Sequence, residues 1–143
     1  MSGSGGVEDV CVGDALPTVV IEHLTRTDLV RYAGASGDFN PIHHDEEFAR
    51  AAGNSTVFGH GMLTAGLLAR CITDFVGVEK LRAYKVRFAT RVWPGDTITC
   101  TGTVTRVYEA DGEQRIDGEV VATTQKGETA VTGVFTAALP GRR

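Results

Sequence analysis

The run from Gly61 to Val76 constrains the fold of this chain more than any other segment. Met62, Leu63, Ala65, Leu67, Leu68, Ala69, Cys71, Ile72 and Phe75 put apolar groups on every face of a helix, and a helix without a polar face is a buried one. It is too short, and too interrupted by Arg70 and Asp74, to span a bilayer. Some other part of the chain has to wrap it. From Leu81 onward the pattern changes to strands, over 83–90, 97–108, 115–124 and 129–139. Pro94-Gly95-Asp96, Ala110-Asp111-Gly112-Glu113 and Lys126-Gly127 supply the turns between them. These features predict an α+β fold in which one antiparallel sheet curls around a long central helix, with Leu67, Leu68 and Ile72 shielded by strands. A single sheet leaves one flank of the helix and one strand edge poorly protected, so a partner subunit is expected.

Ahead of the central helix the signals are shorter. Residues 18–21 are a β-branched run that can start a sheet. Thr25 with Asp28 offers an N-terminal cap for a helix reaching about Ala35, which Ser36-Gly37 ends. Asp45-Glu46-Glu47 puts acids at the positive end of a second short helix, closed by Gly53.

At 143 residues the chain has the size of one domain, expected over 13–140 after a flexible lead-in at 1–12. A net charge of −4, with no face that clusters Lys and Arg, argues against nucleic acid as a partner. Met1-Ser2-Gly3-Ser4-Gly5-Gly6 has neither the positive start nor the apolar run of a secretory signal, so a cytoplasmic protein without membrane association is expected. Cys11, Cys71 and Cys100 are too widely and irregularly spaced for a disulfide framework or a zinc site, and Cys71 reads as a small buried hydrophobe.

The chemistry concentrates in Ala35-Ser36-Gly37-Asp38-Phe39-Asn40-Pro41-Ile42-His43 and in Gly59-His60-Gly61-Met62-Leu63-Thr64. Asp38 and His43 are five apart, which does not stack them on one helical face. They must meet through a loop, and Pro41 makes that loop stiff. His43 is the side chain that moves protons most readily near neutrality. Asp38 can hold a water or a leaving hydroxyl. The amide of Gly61, at the start of the central helix, can donate to an oxygen on which negative charge develops, and the missing side chain lets a ligand come close. His60 reads first as a packing or capping residue, with substrate positioning as its functional alternative. His23 and His44 read as surface residues, and Arg87 as an outward or partner-facing arginine on a strand. No cluster has metal-ligand spacing, and no phosphate loop follows a strand.

Those two segments resemble the hydratase motif of the MaoC-like family, the (R)-specific enoyl-thioester hydratases and (3R)-hydroxyacyl-thioester dehydratases. The likeness runs from about Val19 to Leu139, and the wording of 59–64 is nearest to the catalytic subunit of type II fatty-acid-elongation dehydratases. The resemblance implies a hotdog fold and a homodimer or heterodimer, and the residues themselves lead to no expected cofactor. It also implies Asp38 and His43 as the catalytic pair, Gly61 as the oxyanion amide and Asn40 as a positioning residue. The expected reaction is reversible dehydration of a (3R)-3-hydroxyacyl thioester, carried on CoA or acyl carrier protein, to the trans-2-enoyl thioester. A hotdog thioesterase and a non-catalytic acyl-binding subunit of a heterodimer remain the alternatives.

Overall fold

The computed structural model describes residues 9–140. Most of the expected lead-in, 1–8, lies outside the described residues, while Val10 packs against the core and Ala15 bridges to Thr103.

Strand β1 (Val19–Ile21) is followed by helix α1 (Arg26–Ser36). The Asp28 amide donates to the Thr25 hydroxyl at 3.0 Å and the Thr25 amide donates to the Asp28 carboxylate at 2.9 Å, the reciprocal cap that the sequence predicts. Gly37, at a φ of 77°, stops the helix. Helix α2 (Glu46–Ala51) starts where the Asp45 side chain accepts from the Phe48 amide. Helix α3 (Gly61–Val76) has the bounds that its apolar run predicts. Strands β2 (Leu81–Phe88), β3 (Ile98–Ala110), β4 (Glu113–Thr124) and β5 (Thr129–Ala138) follow. Asp111 and Gly112, at φ of 51° and 76°, make the tight β3–β4 hairpin.

All pairings are antiparallel, and the sheet order is β1-β3-β4-β5-β2. Along β4, Ile116, Gly118, Val120, Ala122 and Thr124 are buried and alternate with less covered residues. This inward row shares one core with Leu68, Cys71, Ile72 and Val76 of α3, and the Tyr84 hydroxyl of β2 donates to the Ala65 carbonyl at 2.8 Å. The architecture is a hotdog: one sheet curled over one long helix.

The curl depends on glycine at the closest approach. A Cβ on Gly118 would stand 2.5 Å from the Phe135 ring of the neighbouring strand and 2.7 Å from the Thr103 carbonyl oxygen on the other side. Backbone on one flank and a packed ring on the other leave no room to relax. Gly118→Ala is expected to lower the unfolding free energy by about 1–3 kcal/mol. Urea denaturation checks this, and an unchanged midpoint would refute the close approach.

The all-round cover expected for α3 is corrected. Met62 is 57% exposed, and Gly66, Arg70 and Asp74, one turn apart, are exposed with it. Leu68 and Ile72 are fully buried, but Leu67 is only half-buried because it faces α1 rather than the sheet. The sheet covers one side of the helix and stops. Strand β2 pairs with β5 alone, so its outer edge is open along eight residues. Among the described residues, no helix is long and apolar enough to cross a membrane.

Candidate active site

The loop after α1 folds on itself through its own polar side chains. The Asp38 amide donates to the Ser36 hydroxyl at 3.2 Å, and the Asn40 amide to an Asp38 carboxylate oxygen at 3.3 Å. The Asn40 side-chain oxygen then accepts from the Ile42 amide at 3.1 Å, capping a short 3-10 turn over Pro41–His43. Asn40 thereby shapes the loop, and that task uses its carbonyl group. Proline at the first position of the turn suits its fixed φ. His43 is held at the far end of this turn.

Its ring is oriented by the main chain. His43 Nδ1 lies 2.7 Å from the Phe58 carbonyl oxygen. A carbonyl only accepts, so Nδ1 carries the proton and Nε2 of the neutral ring is left with a bare lone pair. The His60 ring stacks on His43 with centroids 3.9 Å apart and planes 28° apart. Tyr32 of α1 meets the His60 ring edge-on at 4.9 Å. His60 Nε2 lies 3.2 Å from the Asp38 main-chain oxygen and donates to it. A carboxylate oxygen of Asp38 and one ring nitrogen each of His43 and His60 fall within 4.8 Å of one another. The fold thus gathers Asp38, His43 and His60 from separate parts of the sequence.

His60 is buried, as its packing reading expects, and it precedes α3 without making a side-chain cap bond. The Gly61 amide therefore has no acceptor among the described residues, and Gly61 is exposed. Free amides at a helix start carry the positive end of the dipole. Beside them is a cavity of about 240 Å³ lined by Phe58, Gly59, Gly61, Thr64, Phe88 and Val131, among others. Gly61 thus lines one recess, and the residue just before it, His60, belongs to the cluster with Asp38 and His43.

The MaoC like domain family matches residues 11–138. The chain belongs to that family. It is 30% identical over 121 residues to the (R)-specific enoyl-CoA hydratase of Rhodospirillum rubrum, covering 83% of this chain and 82% of that protein. It is 36% identical over 101 residues to the enoyl-CoA hydratase ChsH3 of Mycobacterium tuberculosis, covering 68% of this chain and 33% of the relative. The crystal structure of the ChsH1-ChsH2 complex from the same organism superposes with a TM-score of 0.80 at 28% identity, over 92% of this chain and 99% of that one. The chain spans between 12% and 33% of the length of the first three curated relatives that it matches.

Sequence reasoning missed Tyr32 and Phe58. Tyr32 looks like any other helix residue until the fold sets His60 against it. Phe58 sends its carbonyl to His43 and its ring to the cavity, where Arg91 lies 4.5 Å above it. Linear spacing also hid the closeness of Asp38, His43 and His60. Their geometry suits proton transfer better than a metal ion. Nearly parallel stacked imidazoles do not aim their lone pairs at one point, and two of the ring nitrogens are engaged by carbonyls.

His60 gives the fold a pH dependence. Burial pushes its pKa below the ordinary histidine value, against the raising effect of its bond to the Asp38 carbonyl. The folded state keeps the ring neutral, whereas the unfolded chain takes up a proton there below about pH 6.5. Stability from this site is therefore present above that pH and is lost as the pH falls through it. Calorimetry from about pH 7.5 to 5.5 should find a shallower fall in Tm for His60→Gln than for the native chain. Equal slopes would reject this account.

Proposed function

We propose that the chain catalyses reversible hydration of trans-2-enoyl thioesters to (3R)-3-hydroxyacyl thioesters, carried on CoA or acyl carrier protein. The observation that carries the reading is the tie between His43 Nδ1 and the Phe58 carbonyl, which leaves Nε2 as the free lone pair of a ring that clusters with the Asp38 carboxylate. The name of the Rhodospirillum relative, matched over most of both chains, points to the same reaction.

In the hydration direction Asp38 holds a water, His43 Nε2 takes one of its protons, and the oxygen bonds to C3. The electron pair of the C2=C3 bond moves toward C2 and the thioester carbonyl. Negative charge on the thioester oxygen is met by the Gly61 amide at the start of α3. A proton then returns to C2 from the protonated dyad, which restores the starting state. Dehydration runs the same steps backward. Asn40 fixes the turn that presents His43, and His60 supports the face of its ring.

The open β2 edge, together with Phe88 at 53% exposure and the uncovered flank of α3, supports pairing with a second hotdog subunit, either another copy or a related chain. Three free cysteines suit a reducing, cytoplasmic setting.

Crotonyl-CoA hydration with chiral analysis of the product tests the reaction, with light scattering run alongside for the mass in solution. A (3R) product from an assembly of about twice 15.2 kDa is expected. A (3S) product, or release of free CoA thiol without a hydroxyacyl product, would overturn the reading in favour of other thioester chemistry.

A further inference from the structure

The recess at Gly61 holds one polar side chain that the proposed reaction does not use. Thr64 lines that cavity and is only 2% exposed, which makes it the one buried polar side chain there. The remaining lining is apolar or glycine except for Thr90 and Arg91, and both of those are exposed. Arg91 is engaged as well, since it donates to the Asn54 side chain and lies over the Phe58 ring. Nothing in the fold calls for threonine at position 64. Alanine forms helices more readily, and valine has nearly the same shape without a hydroxyl to desolvate.

The placement of the hydroxyl can be worked out from the helix. Thr64 follows Gly61 by three residues, so the two share a face of α3, and helical side chains lean toward the N-terminus. The hydroxyl is thereby carried back toward the Gly61 amide. Among the described residues it makes no hydrogen bond, yet the buried side-chain polar atoms closed off without a partner are Glu46 Oε1 and His60 Nδ1 alone. The Thr64 hydroxyl therefore opens on the recess. The Leu63 and Thr64 amides both donate to the His60 carbonyl, at 3.1 and 3.4 Å, whereas the Gly61 amide has no such acceptor. One turn of helix thus presents an N–H and an O–H, both free, to the same small space.

We propose that Thr64 is a second donor to the reacting thioester oxygen, its hydroxyl and the Gly61 amide together holding the negative charge that forms there. This rests on the hydratase reading and adds a catalytic residue to it. The hydroxyl keeps its proton throughout, so proton transfer stays with Asp38 and His43. A donor of this kind bonds most strongly when the oxygen is charged, and its loss therefore falls on kcat rather than on KM.

Thr64→Val and Thr64→Ala both remove the hydroxyl, whereas Thr64→Ser keeps it. The first two are each expected to lower kcat for crotonyl-CoA hydration by about a hundredfold, with KM within about threefold of native. The serine variant should stay within about fivefold of native. Circular dichroism verifies each fold, and if one hydroxyl-free variant unfolds the other decides. The enolate of acetoacetyl-CoA gives a readout without turnover, through its ultraviolet absorbance. Bound ligand should be about tenfold more enolised on the native chain and Thr64→Ser than on the valine and alanine variants. Native kcat without the hydroxyl, a rise in KM alone, or an equal loss in Thr64→Ser would overturn the donor role and leave the hydratase reading standing. Absence of hydration by the native chain would overturn the hydratase reading, and the enolate would then decide on Thr64. Dependence of enolisation on the hydroxyl supports the donor, and equal enolisation in all variants overturns it.

Discussion

His43→Ala is expected to slow hydration of an enoyl thioester by at least about a hundredfold, the scale of a positioned acid-base group. The fold should persist, because the ring is only half-buried and the turn that carries it is held by Asn40 and Pro41. Asp38→Asn should cost a similar factor. The amide keeps the shape of the side chain and can still accept from Asn40, but it no longer offers a carboxylate to the water. Turnover of crotonyl-CoA and thermal unfolding, measured on the same preparations, check both variants. Near-native turnover in either would remove that residue from the dyad.

Gly61→Ala should lower the rate by about 10²–10³ without touching the dyad, the usual effect of losing one oxyanion donor. The amide stays in place, but the new methyl group occupies the space where the thioester oxygen must approach it. The structure adds a second body to this collision. A Cβ on Gly61 would lie 3.0 Å from the Phe88 ring. That ring is 53% exposed and can swing aside, so stability should change little. Phe88 also supplies a control. If crowding by the ring caused the loss, Gly61→Ala combined with Phe88→Ala would recover activity. A blocked amide would stay blocked. Full activity in the single variant would exclude Gly61 from the site.

Much of this architecture was legible in the chain because local chemistry fixed it. The Thr25–Asp28 pair, the acids at the start of α2 and the Asp111-Gly112 turn act over a few residues, and each appears where the sequence puts it. The limits of α3 were readable for the same reason, since glycines stand at Gly61 and Gly77. How far the sheet reaches around that helix was not readable. An apolar residue looks the same in sequence whether a strand, another helix or a second subunit covers it, so the pattern alone buries Met62 and Leu67 more deeply than the fold does. In the site, Asp38, His43 and Gly61 announce themselves by residue type and local conformation. Phe58 does not, because its part is played by a carbonyl that every residue possesses.

That last point separates two jobs at one position. The ring of Phe58 shapes the cavity at Gly61, whereas the atom that sets the His43 tautomer belongs to the main chain. Substitution at position 58 can therefore reshape the recess while the proton stays on Nδ1. The ring also meets His43 edge-on with centroids 5.1 Å apart, so a smaller residue there opens the recess and loosens the base together, whereas one of similar bulk alters the recess alone.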